Sequence, residues 1–144
     1  MKEQYISLVR DLCRLCELKN PEVVIDSGAM MVNDVVISLA HNATVDPGVL
    51  FIYCDFGKVP EGREVEAYSA MLKTNLLLYN GRGPAFAMSF ETGRVVFADH
   101  CRMADIDPKA LRDKLAGLAE KAHEWRALYA LETGESGERV EGEA

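Results

Sequence analysis

Two cysteines in the stretch CRLC, Cys13 and Cys16, have the spacing of a redox dithiol or of half a zinc site. A reactive thiolate is favoured where a strand runs into a helix N-terminus, because the helix dipole lowers the thiol pKa there. Cys13 instead falls about three turns into an amphipathic stretch with no strand before it. The dipole's influence has faded by that point. A zinc site would need a second close pair, and Cys54, His100 and Cys101 are far apart in the chain and unpaired. CRLC therefore reads as two small apolar residues one turn apart on a helix face. The alternative is a cytosolic thiol-redox or zinc-binding protein using Cys13, Cys16 and Cys101, separable by metal analysis and thiol titration.

No other group of residues assembles chemistry. NGRGPA, at 80–85, lacks the full phosphate-loop and dinucleotide patterns. It also follows a helix and precedes a strand, the wrong order for aiming helix N–H groups at phosphate. His41, His100 and His123 belong to no HExxH or serine-nucleophile motif. Asp105, Asp107 and Asp113 suit a helix start, where carboxylates offset the dipole. With no catalytic residues, metal ligands or cofactor motif, the expectation is a binding protein, not an enzyme.

Composition narrows what is bound. The 144 residues are enough for one domain with its own core. Sixteen basic residues against 23 acidic ones give a net charge of −7, with no basic run to hold phosphates, so nucleic acid is not expected. Charges interrupt the N-terminal stretch too often for a signal peptide, and no stretch reaches the roughly 18–20 apolar residues of a membrane span. Four cysteines without an export signal point to reduced thiols and a cytoplasmic protein.

Periodicity supplies the elements. Residues 2–19 predict a helix with Tyr5, Leu8, Val9, Leu12, Leu15 and Cys16 on one stripe, widened by Ile6 and Cys13. That arc is wide enough to cover a core and leave apolar surface over, with Cys16 inward and Cys13 at the edge. Val23–Ile25, Ala29–Val32, Val35–Leu39 and Val49–Cys54 are short β-branched or aromatic runs that predict an antiparallel meander. Asn33-Asp34 is its tightest turn, since Asn tolerates positive φ. Residues 63–78 predict a second helix, 85–90 and 94–101 a second hairpin, and Asp107-Pro108 the cap and first residue of a last helix. From Glu132 onward the acidic, glycine-rich chain has almost nothing to bury. The expected architecture is a single α+β domain over 1–131, α-β-β-β-α-β-β-α with an antiparallel sheet packed by helices, and a disordered acidic tail at 132–144. The apolar residues on both faces of 35–39 and 49–54, with those of 63–78, leave two readings: a sheet sandwiched by its own helices, or surface left for a partner.

With these elements in order, AMLKTNLLLYNGRGPAFAMSFETGRVVF (70–97) resembles the class I type III secretion chaperones, the Tir-chaperone family. The resemblance rests on Thr74-Asn75-Leu76 ending a helix, the break at Gly81 and Gly83, and the hairpin return Gly93-Arg94-Val95. The opening helix, LFIYCDFGKVP at 50–60 and AHEWRALY at 122–129 extend it over about residues 3–131. It implies a homodimer in the bacterial cytosol that holds the N-terminal segment of a secreted effector extended and secretion-competent, without ATP or any cofactor. It places the dimer interface at Val65, Tyr68, Met71, Leu72 and Leu76. It places the effector over Ile6, Val9, Cys13, Val35, Ile37 and Phe51.

Overall fold

The computed structural model describes residues 2–132 and the backbone of 138–139. Its elements are α1 (Lys2–Leu15), α2 (Pro21–Ser27), β1 (Ala29–Val32), β2 (Val35–His41), β3 (Val49–Gly57), α3 (Glu64–Leu78), β4 (Ala85–Met88), β5 (Val95–Arg102), a 3-10 turn (Met103–Asp105), α4 (Pro108–Tyr129) and β6 (Glu138–Arg139). The strands lie in the order β4-β5-β3-β2-β1, antiparallel throughout, with β6 parallel to the outer side of β1. This is the α+β domain the sequence predicts. The expected tail begins at Glu132, whose backbone exchanges two 2.8 Å hydrogen bonds with Lys58. Apart from the β6 backbone, the rest of that tail lies outside the described residues.

Local chemistry accounts for the turns. Asn33 and Asp34 both have positive φ, 49° and 65°, the conformation a two-residue hairpin between right-twisted strands requires. The Asp107 side chain accepts from the Ala110 N–H at 2.8 Å, and Pro108 follows as the first helical residue.

One expected strand is a helix. Val23–Ile25 lies inside α2, despite its β-branched composition. Pro21 presets the first helical φ, and Gly28 ends the helix in the left-handed region at φ 78°. A side chain at Gly28 would also bring its Cβ to 2.4 Å from the Leu39 carbonyl oxygen. Val24 is fully buried, and Arg10 reaches from α1 to Glu22 at 3.0 Å. The first helix ends at Leu15, earlier than the predicted Lys19, where Cys16 and Glu17 form a turn.

The core lies between one sheet face and the helices α1 and α4. Strand alternation sends Met30, Val32, Val35, Ile37, Leu39, Leu50, Ile52, Cys54, Phe56 and Phe97 to that face, and all are buried. Helix α4 meets them with Leu111, Leu115, Leu118, Ala119 and Ala122. Phe56, Phe86 and Phe97 pack ring to ring, with centroids 4.8–5.5 Å apart. Arg126 of α4 donates from Nε to the Phe56 carbonyl at 2.9 Å and from Nη2 to the Asp55 carbonyl at 2.8 Å, fastening the helix to the end of β3.

Candidate functional site

Helix α3 packs against the edge strand β4 and adds Ala67 and Met71 to the core. These two residues anchor it by burial, and Asn75 fixes it to the strand edge by two hydrogen bonds. Asn75 Nδ2 donates to the Phe86 carbonyl at 3.1 Å, and the Phe86 N–H donates to Asn75 Oδ1 at 2.7 Å. Gly83 completes the return: a Cβ there would sit 2.4 Å from the Leu78 carbonyl oxygen.

With α3 held edge-on, only Ala67 and Met71 of the helix are buried. Val65, Leu72 and Leu76 recur at seven and four, one stripe of the helix, and are 86%, 69% and 77% exposed. Between this stripe and the sheet runs an apolar groove of about 210 Å³, lined by Tyr68, Met71, Leu72, Phe86, Met88 and Val95. Met88 and Phe90 continue the exposed surface into the β4–β5 turn. Of the residues assigned to a dimer interface, Val65, Leu72 and Leu76 point outward, Tyr68 is half-buried at the groove wall, and Met71 forms its floor.

The expected effector-contact residues divide differently. Val9, Cys13, Val35 and Ile37 have no exposed surface and belong to the core beneath α1 and α4. That set therefore needs correction: four of its six members are packed inside the protomer and present nothing to a partner. Ile6 and Phe51 remain partly accessible, Ile6 beside the core and Phe51 on the sheet face turned away from α1 and α4. Cys13 lies at the edge of its helix's buried arc as expected, but that edge is fully covered, and Leu15, expected inward, is exposed. Period alone marks which residues are apolar, and the packing of α1 against α2 and α4 decides which of them are covered. Met88 and Phe90 were not singled out from the sequence. Phe90 could have been, as a large apolar residue in a turn between Ser89 and Glu91.

Three of the four thiols are held in the protonated form by burial. Burial pushes Cys13 up to about 11, with Cys16 and Glu22 adding to the effect, and pushes Cys54 up to about 12. Cys101 is also raised, chiefly by burial. These shifts run opposite to those of a redox or metal-binding thiolate. Among the described residues no group of three or more His, Cys, Asp or Glu side chains could hold a metal ion. The thiol-redox or zinc alternative finds no support. No helix among the described residues is long and apolar enough to cross a membrane.

The family model for the Tir chaperone protein (CesT) family matches residues 32–126, and this chain belongs to that family, the class I type III secretion chaperones. No curated protein matches the sequence. Solved structures match the fold at low identity. A chain of the ExsC–ExsE complex is 16% identical with a TM-score of 0.70, the match covering 90% of this chain and 96% of that one. A chain of the HopA1–SchA chaperone–effector complex is 19% identical with a TM-score of 0.66, covering 88% and 95%. A chain of the structure of the Yersinia pestis type III secretion chaperone SycH with a stable fragment of YscM2 is 17% identical with a TM-score of 0.59, covering 84% and 98%.

Proposed function

We propose that this protein is a cytoplasmic, non-enzymatic secretion chaperone. It acts as a homodimer that binds the N-terminal segment of a secreted effector in extended form and keeps it soluble and secretion-competent, without ATP. The observation that carries the reading is the apolar stripe of α3, Val65, Leu72 and Leu76, raised on the sheet edge beside an apolar groove. A helix exposing such a stripe is suited to an isologous interface, in which the same patch serves both copies. Membership of the family and the likeness to chains from chaperone–effector complexes support the effector-binding part. Affinity for an extended segment would come from apolar side chains in grooves and from backbone pairing at a sheet edge.

Nothing in this mechanism consumes a nucleotide. Burial of an aggregation-prone segment is favourable by itself, so complex formation should be indifferent to added ATP. In the source bacterium, loss of this chain should abolish export of one or a few secreted proteins, and expression of the chain in trans should restore it. Unchanged export of every secreted protein would refute the reading.

A further inference from the structure

The sheet face turned away from α1 and α4 carries a second groove, of about 360 Å³, at the start of β3 and the end of β5. The register pairs Val49 with Arg102 and Phe51 with His100, so an apolar and a basic side chain alternate across the two strands. Gly81 and Arg82, from the α3–β4 connection, form one wall, and Asp46, before β3, stands on the other.

The charge of this groove is opposite to that of the protein. The chain carries 16 basic and 23 acidic residues, yet the groove holds Arg82, Arg102 and His100 against the single acid Asp46. That acid is already engaged: Oδ1 accepts from the Gly48 N–H at 3.0 Å and Oδ2 lies 3.4 Å from Arg102 Nη2. Among the described residues Arg82 makes no ion pair, and its backbone N–H is fixed by Asn80 Oδ1 at 2.9 Å. The groove thus sets an exposed guanidinium beside Phe51 and Val49. Such an apolar pair suits an apolar side chain, and the rim suits a carboxylate next to it.

We infer that this groove is a docking site for an acidic stretch of the bound polypeptide in which carboxylates alternate with apolar side chains. The inference rests on the chaperone reading for the origin of that polypeptide, and on charge complementarity for its composition. It assigns a task to the face opposite the helix-covered core and predicts which part of a client this face selects.

The test uses the full chain labelled with 15N and three blocked peptides, Leu-Glu-Leu-Glu-Leu and its Gln and Lys counterparts. The Glu peptide should shift the amide signals of Phe51, His100 and Gly81 in a salt-dependent way, and the Lys peptide should leave them in place. Arg82→Glu, a change at an exposed loop position, should weaken the Glu peptide about tenfold while leaving the rest of the spectrum intact. The inference is overturned by equal shifts with the Gln or Lys peptide, by an unaltered affinity in Arg82→Glu, by shifts confined to the α3–β4 groove, or by no shift at about millimolar peptide. Failure here with a client still bound elsewhere on the protein would leave the chaperone reading intact. Success without any bound client would sink that reading alone.

Discussion

Asn75 and Phe86 satisfy each other twice: the amide of one side chain replaces, on the outer edge of β4, the neighbouring strand that Phe86 would otherwise lack. An open edge invites unwanted pairing, and here a side chain closes it. The same two bonds hold α3 at the position from which its apolar stripe faces outward.

Removing that contact should be measurable. Asn75→Ala leaves a part-buried N–H and C=O unpaired, with an expected loss of about 1–3 kcal/mol in chemical denaturation. Asn75→Asp keeps the acceptor and loses the donor, so it should fall between Ala and the native residue. An unchanged midpoint in both variants would contradict the role given to this side chain.

Charge placed on α3 should act differently inside and outside the groove. Leu76 is exposed in the protomer, so Leu76→Asp should convert a dimer to a monomer while leaving protomer stability within about 0.5 kcal/mol. Met71 is buried at the groove floor, and Met71→Asp should also destabilise the protomer, because an unpaired carboxylate is costly there. Sedimentation and thermal unfolding read the two effects separately. Equal behaviour of the two variants would contradict the placement of the stripe.

Arg126 fastens α4 to β3 through the Phe56 and Asp55 carbonyls, and its guanidinium lies 3.8 Å from the Asp55 carboxylate. Arg126→Met fills the volume but strands those buried acceptors, and should cost about 2–4 kcal/mol in urea unfolding. Arg126→Lys should rescue little, since one ammonium cannot reproduce the fork.

The thiols make a prediction with a definite sign. Cys13 titrates near 11 and Cys54 near 12 in the folded chain, above the ordinary thiol value of 9.0. The folded state therefore holds its thiol protons more tightly, and the unfolded chain releases them first as pH rises. Stability from these groups is fully present below pH 9 and is lost as pH rises through 11 to 12. Chemical denaturation across pH 8–11 should show the decline, and Cys13→Ala should blunt it. Native Cys13 and Cys54 should likewise react slowly with an alkylating reagent near pH 8 and promptly once unfolded.

Much of the fold was legible because it rests on short-range chemistry. The Asn33-Asp34 hairpin and the Asp107-Pro108 helix start each follow from the residue that must adopt the backbone angle or donate the cap. Val23–Ile25 misled because β-branching speaks for a strand while Pro21 and Gly28, which decide the helix, stand outside the run. The site was half legible. Val65, Leu72 and Leu76 lie on a stripe that the sequence shows, and the family resemblance marks it as an interface. Val9, Cys13, Val35 and Ile37 are equally apolar and equally periodic, yet all four are fully buried in the core. Pattern identifies what wants to be buried, and only the packing shows what does the burying. Thr74-Asn75-Leu76 stands out only through the resemblance, because the partner that gives Asn75 its role is Phe86, across a glycine-bearing return.

The central claim is that this chain binds the N-terminal segment of a secreted protein as a dimer. The most direct measurement is the mass, by sedimentation or light scattering, of the full chain co-expressed with the N-terminal segments of secreted proteins of the source bacterium, each in turn. The account predicts one stable species containing two copies of this chain and one segment, unchanged by ATP. A chain that runs as a monomer at micromolar concentration, with every segment separating from it, would contradict the account.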